Sequence, residues 1–313
     1  MSNTITGNIS IEATLSGNIT IGGGGSDTLG EAMSETGLAE YENDSTVIHP
    51  VVVKKVTAPN ATTLANAAFA NSWVEEVDAE NVVTVGEGAF YSASYLKKLK
   101  LGKVTSVGKY AFRSMGTSEN NDIELHLDVS TIDYSDYTLY QSKLKSLTVD
   151  SLATINGSVF ESMNASGAVS FPDATELKAN GLKNVKCNTL SLPNVTTIGQ
   201  YALSSTEISS NYLKLDKVTT IPGNGCPYLK CNSLELPSVT SMGSRAFQLA
   251  TVTDLYLPGD TMCALESGVD NVFYSCPIYT SADARVHVKA SLESTYKADS
   301  NWSAIADKIV GDL

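Results

Sequence analysis

The chain has 313 residues, of which 42% are hydrophobic, and it carries a formal net charge of -13. A chain of this size can bury a substantial core in one or two domains. The acidic balance argues against binding to nucleic acid or to anionic membrane surfaces, which requires clustered Lys and Arg. No apolar run approaches the roughly 18–20 residues needed to cross a bilayer, so membrane insertion is not expected.

Residues 1–26 are predicted to be a β-rich, glycine-containing leader. The stretch ITGNISI (Ile5 to Ile11) returns ten residues later as LSGNITI (Leu15 to Ile21), and its alternation is typical of strands. Such a segment could pair as a hairpin, add to an open sheet edge, or make residues 1–21 an oligomerisation segment. It also loosely resembles the short β-rich leaders of tailed-phage fibre and baseplate-associated proteins.

The glycine-rich stretch GGGGSDTLG (Gly22 to Gly30) fits the calcium-binding nonapeptide once. In that architecture each ion lies between stacked successive turns, so a single copy predicts a glycine turn and no metal site. Residues 27–54 are interpreted as an acidic linker, because the first 53 residues contain seven acids and no Lys or Arg. The first thirty residues lack the basic and apolar regions of a secretory signal, so general secretion would need a signal outside this sequence.

From residue 55 to residue 280 the chain repeats one pattern at steps of 21 to 25 residues. Each repeat begins with an L-x-L pair, whose period of two predicts a strand with both apolar side chains on one face. The middle residue of each pair points the other way, and we expect it to meet water. In chain order these residues are Thr57, Asp78, Lys100, His126, Thr148, Ser170, Ser191, Lys214, Glu235 and Tyr256.

Further along each repeat, the motif VTxI is followed by a small residue and then a large apolar one. KVTSVGKYAF (Lys103 to Phe112) is one example and SVTSMGSRAF (Ser238 to Phe247) is another. The large residues are expected to point inward, and their column reads Phe69, Phe90, Phe112, Tyr137, Phe160, Leu182, Leu203, Cys226 and Phe247. The glycines that follow the inward apolar residue are interpreted as turn formers; they are Gly86, Gly108, Gly199 and Gly243.

A single coil of about 22 residues cannot fold alone. Ordering it costs on the order of 1–2 kcal/mol per residue, and five inward side chains return only roughly 1.5–3 kcal/mol each. Coils that stack and hydrogen-bond as a parallel sheet remove this deficit. The repeat therefore predicts an α/β-type solenoid of nine to ten coils, with one short parallel strand per coil.

The consensus LxxIxLPxxVTxIGxxAFxxCxxL resembles the BspA-like class of bacterial leucine-rich repeats. LSLPNVTTIGQYAL (Leu190 to Leu203) and LELPSVTSMGSRAF (Leu234 to Phe247) carry the resemblance, which covers about residues 55–280. It implies a surface or adhesion-type role in bacteria, with the ligand unspecified. The repeats near Ile132 and Leu265 are degenerate.

Residues 281–313 break the period and are predicted to form a helical C-terminal cap over the last coil. Val286 and Val288 alternate as a final strand would, and Trp302, Ile305 and Ile309 follow at helical spacing. This segment also resembles the closing segments of the same repeat class.

Catalytic and cofactor motifs are not found in the sequence. The three histidines, His49, His126 and His287, lie far apart, and no G-x-S-x-G elbow, dinucleotide fingerprint or metal-ligand cluster occurs. The five cysteines are an odd number in a chain too long to need disulfides, so they are predicted to be buried free thiols. The prediction is a protein that is not an enzyme, with no cofactor.

The hypothesis from the sequence is a leucine-rich repeat scaffold that binds a protein or glycan, at the cell surface or outside the cell. A phage tail or baseplate-associated host-recognition protein, located in the virion, is the alternative that the duplicated leader motivates. Binding residues are sought first on the exposed strand face, at Lys100, His126, Lys214, Glu235 and Tyr256.

Overall fold

The chain folds as a parallel β-solenoid of about 11 turns of about 22 residues, with a few short helices near its C-terminus. The computed structural model describes residues 54–117, 121–133 and 136–313, together with the backbone of short strands between residues 10 and 52. The solenoid prediction is confirmed. Most of the glycine-rich motif Gly22–Gly30 and most of the leader lie outside the described residues.

The chain divides into two compact units. Unit 1 holds the described residues up to Val129 and those in Ser135–Val149. Unit 2 holds the described residues in Ser130–Tyr134 and Asp150–Leu313. Both units are built from the same coil.

In unit 1, the L-x-L segments form a parallel sheet whose strands are in register from coil to coil. Lys55, Glu76 and Lys98 are successive partners in this register, as are Val56, Val77 and Leu99. The strands are Lys55–Thr57, Glu76–Ala79, Lys98–Leu101, Asp122–Asp128 and Ser146–Asp150.

A second parallel sheet in unit 1 contains the last two residues of each VTxI motif. Its strands are Thr28–Leu29, Thr63–Leu64, Thr84–Val85 and Ser106–Val107. Lys143–Leu144 is a further short strand in unit 1. Each of these coils therefore contains more strand than the single segment that the L-x-L pattern predicts, because VTxI also hydrogen-bonds between neighbouring coils.

The leader and the region after it contain paired strands in unit 1. Asn18–Gly22 pairs antiparallel with Ser10–Ile11 and parallel with Lys55–Thr57, so it forms a hairpin and also extends the L-x-L sheet. Leu38–Tyr41 pairs antiparallel with His49–Val52. Residues 27–54, interpreted from the sequence as a linker, thus include strands. The sequence there lacks the alternation of apolar and polar side chains, but strands can pair through their backbones without it. Oligomerisation through residues 1–21 remains a prediction.

Unit 2 repeats the coil with three sets of short parallel strands. The L-x-L strands are Ala168–Ser170, Thr189–Ser191, Tyr212–Lys214, Ser233–Glu235 and Asp254–Leu257, followed by Arg285–Val288 and Ile309–Gly311. The VTxI strands are Thr154–Ile155, Glu176–Leu177, Thr197–Ile198, Thr220–Ile221, Ser241–Met242 and Ala264–Leu265. The third set consists of Asn164–Ala165, Lys186–Cys187 and Glu207–Ile208.

The core consists of the predicted inward columns. Phe69, Phe90 and Phe112 are fully buried, and their rings stack in sequence with centroid separations of 5.2 and 5.7 Å. Both apolar members of nearly every L-x-L pair are buried, whereas none of the ten middle residues is. Two predicted inward residues are only half-buried: Leu101 of an L-x-L pair and Val107, the last residue of a VTxI motif.

In one degenerate coil, the assignment of Tyr137 to the inward aromatic column is wrong. Tyr137 is half-buried with a left-handed backbone (φ 44°), and Leu139 is the fully buried residue. The Phe112 amide donates to the Thr138 carbonyl at 2.9 Å, as the Phe90 amide donates to that of Ala111. Thr138 therefore occupies the position of the small residue that precedes the large inward one. The fixed spacing from Ile132 predicted a position two residues too early, because this coil is longer than its neighbours.

The recurring glycines each begin a turn, because the amide three residues later donates to the glycine carbonyl. The turn itself does not require a glycine there. Gly86, Gly108, Gly199 and Gly243 do not have a positive φ. A Cβ at each, however, would lie 2.3 to 2.6 Å from a backbone nitrogen of the preceding coil, far inside normal contact distance. These positions lack a side chain because successive coils approach too closely there to admit one.

Opposite charges alternate along one edge of the unit 1 sheet. Lys55 contacts Glu76 at 3.5 Å, Glu76 contacts Lys98 at 3.3 Å, and Asp122 contacts Lys145 at 2.8 Å. Lys98 and Asp122 are register partners between these pairs. We call these five residues the charge ladder. Exposed pairs of this kind contribute only about 0–1 kcal/mol each, so the ladder adds little to stability.

The C-terminal segment covers the last coil of unit 2. The coil before it contains α1 (Val269–Val272) and α2 (Pro277–Thr280). The segment itself contains α3 (Glu293–Ala298), with 3-10 turns at Ala290–Leu292 and Ser303–Lys308. The Trp302 indole N–H donates to the Cys263 carbonyl at 2.9 Å, and the Cys263 amide donates to the Tyr296 hydroxyl at 2.7 Å.

Both aromatic residues are buried, so this segment pairs backbone groups that an open sheet edge would leave exposed. The expected helix over Trp302, Ile305 and Ile309 is shorter than the spacing suggested. Ile305 has non-helical angles (φ -127°, ψ 27°), and Ile309 begins a strand that pairs with Arg285–Val288.

Candidate functional site

Four polar side chains form a continuous row on the L-x-L sheet of unit 2. Lys214, Glu235, Tyr256 and His287 are register partners on four neighbouring strands. Their neighbours along each strand are buried leucines and valines, so the row faces away from the core. We call these residues the strand row. Three of the residues predicted from the sequence, Lys214, Glu235 and Tyr256, are thus brought side by side.

At one end of the strand row, charges and hydrogen bonds hold the side chains in place. The Lys214 ammonium lies 3.1 Å from Asp216 and 3.2 Å from Glu235, and both hydrogen bonds raise the pKa of the lysine. The Tyr212 hydroxyl donates to the other Glu235 oxygen at 2.5 Å. Burial, followed by this hydrogen bond, raises the pKa of Tyr212 to about 12. Lys214 therefore stays charged and Tyr212 stays neutral at physiological pH.

At the other end, Tyr256 and His287 form a flat aromatic step. Their rings stack with centroids 4.3 Å apart and planes inclined by 8°. The His287 Nδ1 lies 2.9 Å from an Asp312 carboxylate oxygen, and its Nε2 lies 3.6 Å from Asp254, too far for a hydrogen bond. Burial is the main cause that raises the pKa of Tyr256. The His287 side chain is only 15% exposed.

The other two predicted residues, Lys100 and His126, belong to unit 1. Lys100 forms an ion pair with Glu80 at 2.6 Å, and this hydrogen bond raises the pKa of the lysine. His126 is exposed, and its carbonyl accepts the Val104 amide at 3.2 Å. The register between the two strands pairs Lys98 with Asp122 rather than Lys100 with His126. Sequence counting therefore placed them in one column, but the structure does not place them opposite each other.

The repeat identifies the family. The family model described as the BspA type leucine rich repeat region matches six copies, at residues 51–135 and 132–253, which is more than half of the chain. The chain belongs to the BspA-type leucine-rich repeat family. A search of curated proteins found no match.

Among solved structures, this BspA-type chain is similar to a leucine rich cell surface protein from Faecalibacterium prausnitzii A2-165. The two sequences are 15% identical, and the alignment covers 100% of this chain and 98% of that chain. The TM-score is 0.28.

The groups that enzymes most often use are poorly placed in the described part of this BspA-type chain. No set of three or more His, Cys, Asp or Glu is arranged to hold a metal ion within those residues. The hydrogen bonds that His287 makes run to Asp312, a carboxylate and not a nucleophilic hydroxyl or thiol. Likewise, none of the described helices has the length and apolarity needed to cross a membrane.

All five cysteines are free and buried, as predicted. Burial raises the thiol pKa of Cys187, Cys231, Cys263 and Cys276 to about 12 each. Because only the thiolate reacts, these sulfurs are unreactive at neutral pH.

We expect no thiol of the native chain to react with Ellman's reagent at pH 8 within minutes, and all five to react in guanidinium chloride. The folded pKa values lie above the value of about 8.5 for a free thiol. The buried protonated thiols therefore contribute their full stability below the pKa of the unfolded thiol. This stability is lost as the pH rises toward 12, because the unfolded chain then ionises more readily than the folded chain. Rapid labelling of any thiol in the native chain would contradict the burial.

Two groups of aromatic residues in unit 1 were not predicted from the sequence: a stacked pair and a set of tyrosines around an arginine. Trp73 and Tyr95 stack at 4.7 Å and are 44% and 45% exposed, and four tyrosines surround Arg113. A column-by-column inventory of aromatic residues would have located the tyrosines beside the Ala-Phe pair. It would not have shown their common arginine partner.

Proposed function

We propose that the chain is a non-enzymatic scaffold that binds a protein or glycan ligand through the strand row of unit 2, at a bacterial cell surface. The observation that carries this proposal is the row itself: Lys214, Glu235, Tyr256 and His287 lie side by side on strands in register. Repeat proteins of this construction present extended binding surfaces built from side chains that do not repeat.

The chemistry of the row supports recognition rather than catalysis. Lys214 offers a charge, Glu235 offers acceptor oxygens, and Tyr256 offers an aromatic ring with a neutral hydroxyl. Each side chain is already held by a neighbour, so little rotamer freedom would be lost on binding. The family membership and the buried thiols are consistent with a scaffold.

The test uses the fluorescently labelled full chain on intact epithelial cells and on a glycan array. We expect saturable binding that the double variant Lys214→Ala, Tyr256→Ala reduces by about tenfold or more, since charged and aromatic residues dominate binding hot spots. Prior treatment of the cells with protease or with glycosidases distinguishes a protein ligand from a glycan.

The matched control is Lys186→Ala, an exposed lysine on a different set of strands of the same unit. Its binding curve should match that of the unchanged chain. Absence of saturable binding to cells and array, or equal binding by the double variant, would refute the role of the strand row. Antibody labelling of intact bacteria that express the native gene tests the surface location separately.

A further inference from the structure

Unit 1 contains a guanidinium group surrounded by tyrosine rings. The Arg113 guanidinium carbon lies 5.7 Å from the ring centroid of Tyr91, 5.5 Å from those of Tyr110 and Tyr137, and 5.3 Å from that of Tyr140. These distances are within the range of cation–π attraction. The five residues come from three successive coils, and we call them the Arg113 cluster.

The backbone of the repeat fixes the positions of these side chains. Tyr91, Arg113 and Tyr140 each follow the large inward residue of their coil, so they recur at one place on stacked coils. Tyr110 and Tyr137 occupy the left-handed position two residues before that inward residue, with φ of 56° and 44°. Hydrogen bonds between coils lock this alignment, including Phe90 N–H to Ala111 O at 2.7 Å. The cluster is therefore preorganised.

The charge of Arg113 is not neutralised by an acid in the described part of the chain. Most lysines there form ion pairs with Asp or Glu, whereas the Arg113 guanidinium lies against aromatic rings. Asp136, which precedes Tyr137, lies 3.8 Å from Lys109 and is balanced by it. A guanidinium offers five N–H donors that aromatic faces satisfy poorly, so it retains the capacity to bind an anionic group in bidentate fashion.

The surroundings of the cluster suit a sugar better than an apolar protein surface. Short polar side chains hold the second left-handed position of these coils, at Asn71, Ser92, Ser114 and Gln141. Among the described residues of unit 1, the exposed large hydrophobic side chains are Trp73, Tyr91, Tyr95 and one aliphatic residue, Val83. Protein interfaces usually have an apolar centre. Aromatic rings among Ser, Asn and Gln instead provide flat faces for sugar rings and hydrogen-bonding groups for hydroxyls.

We propose that the Arg113 cluster binds an acidic glycan, with the Arg113 guanidinium donating hydrogen bonds to a sugar carboxylate and a sugar ring packed against the exposed ring of Tyr91. The net charge of -13 does not prevent this, because charges more than about 8 Å away are largely screened at physiological salt. The site uses residues of unit 1 and does not depend on the strand row of unit 2.

The test measures binding of the full chain by calorimetry to two matched pairs of sugars. Tetragalacturonate is compared with neutral galactotetraose, and 3′-sialyllactose is compared with lactose. We expect at least one acidic sugar to bind about tenfold or more tightly than its neutral counterpart, as one charge-assisted bidentate contact would give. Arg113→Gln should abolish that preference. Arg113→Lys retains the charge without the planar fork and should retain more affinity than Arg113→Gln.

The control is Arg245→Gln, which removes an exposed arginine of unit 2 and should leave sugar binding unchanged. Circular dichroism of each variant confirms that the fold is retained. Equal binding of acidic and neutral sugars, no binding to either acidic sugar, or binding that Arg113→Gln and Arg113→Lys leave intact would overturn the proposal. Equally tight, Arg113-dependent binding of hexaglutamate would overturn the choice of a glycan in favour of an acidic peptide.

Discussion

Phe112→Ala is expected to lower the free energy of unfolding by about 3–5 kcal/mol, the range for removing a buried aromatic ring. The Phe112 side chain is fully buried, and its ring stacks on that of Phe90, which in turn stacks on Phe69. Truncation would leave a cavity between two coils whose backbones are hydrogen-bonded and cannot easily collapse into it. The midpoint of chemical denaturation, followed by circular dichroism, measures the effect.

Two variants serve as controls for this substitution. Phe112→Leu keeps most of the volume and should cost about 1.5 kcal/mol or less. Tyr274→Ala removes a side chain that is 53% exposed and should change stability by only about 0.5 kcal/mol. A denaturation midpoint unaffected by Phe112→Ala would show that this column does not form the core.

Gly243→Ala is expected to destabilise the chain by about 3 kcal/mol, although it adds only one methyl group. A Cβ at residue 243 would lie 2.3 Å from the Gly223 nitrogen and 2.9 Å from the Gly223 Cα. Both are backbone atoms, so the clash can be relieved only by moving one coil away from the next. Overpacking of this kind costs about 1–3 kcal/mol. It would also strain the hydrogen bond from the Gly243 amide to the Ile221 carbonyl.

The matched control is Glu266→Ala, which alters the same column one coil later, where an exposed side chain is already present. It should change the free energy of unfolding by no more than about 0.5 kcal/mol. If Gly243→Ala were as stable as the parent chain, the close approach of coils at these glycines would not constrain the sequence.

The solenoid could be predicted because each coil supplies independent evidence for the same columns. Eleven turns that place apolar residues at matching positions leave few alternative folds. Prediction failed at Tyr137, because a longer coil shifts the count and a spacing rule cannot show where the extra residues lie. The turns at the recurring glycines were predicted, but the close approach of the neighbouring coil was not, since a missing side chain can serve either purpose.

The candidate sites were less predictable than the fold. The strand position of Tyr256 follows from alternation, but its stacking on His287 depends on which strands become neighbours and which rotamers they adopt. The same limitation applies to the four tyrosines around Arg113, which are up to 49 residues apart in the sequence, from Tyr91 to Tyr140. Such groupings become visible only when the register between coils is known.

The charge ladder of unit 1 bears on how a repetitive chain avoids folding errors. The apolar residues of successive coils are nearly interchangeable, so a coil could dock on the next coil but one with its core largely satisfied. In the ladder that error would oppose Lys55 to Lys98, or Glu76 to Asp122, in place of the observed pairs of opposite charge. Like charges directly opposite one another are destabilising. The ion pairs contribute little to native stability, but they would make the docking of a skipped coil less stable than the correct docking. A misdocked coil would thus dissociate more readily during folding.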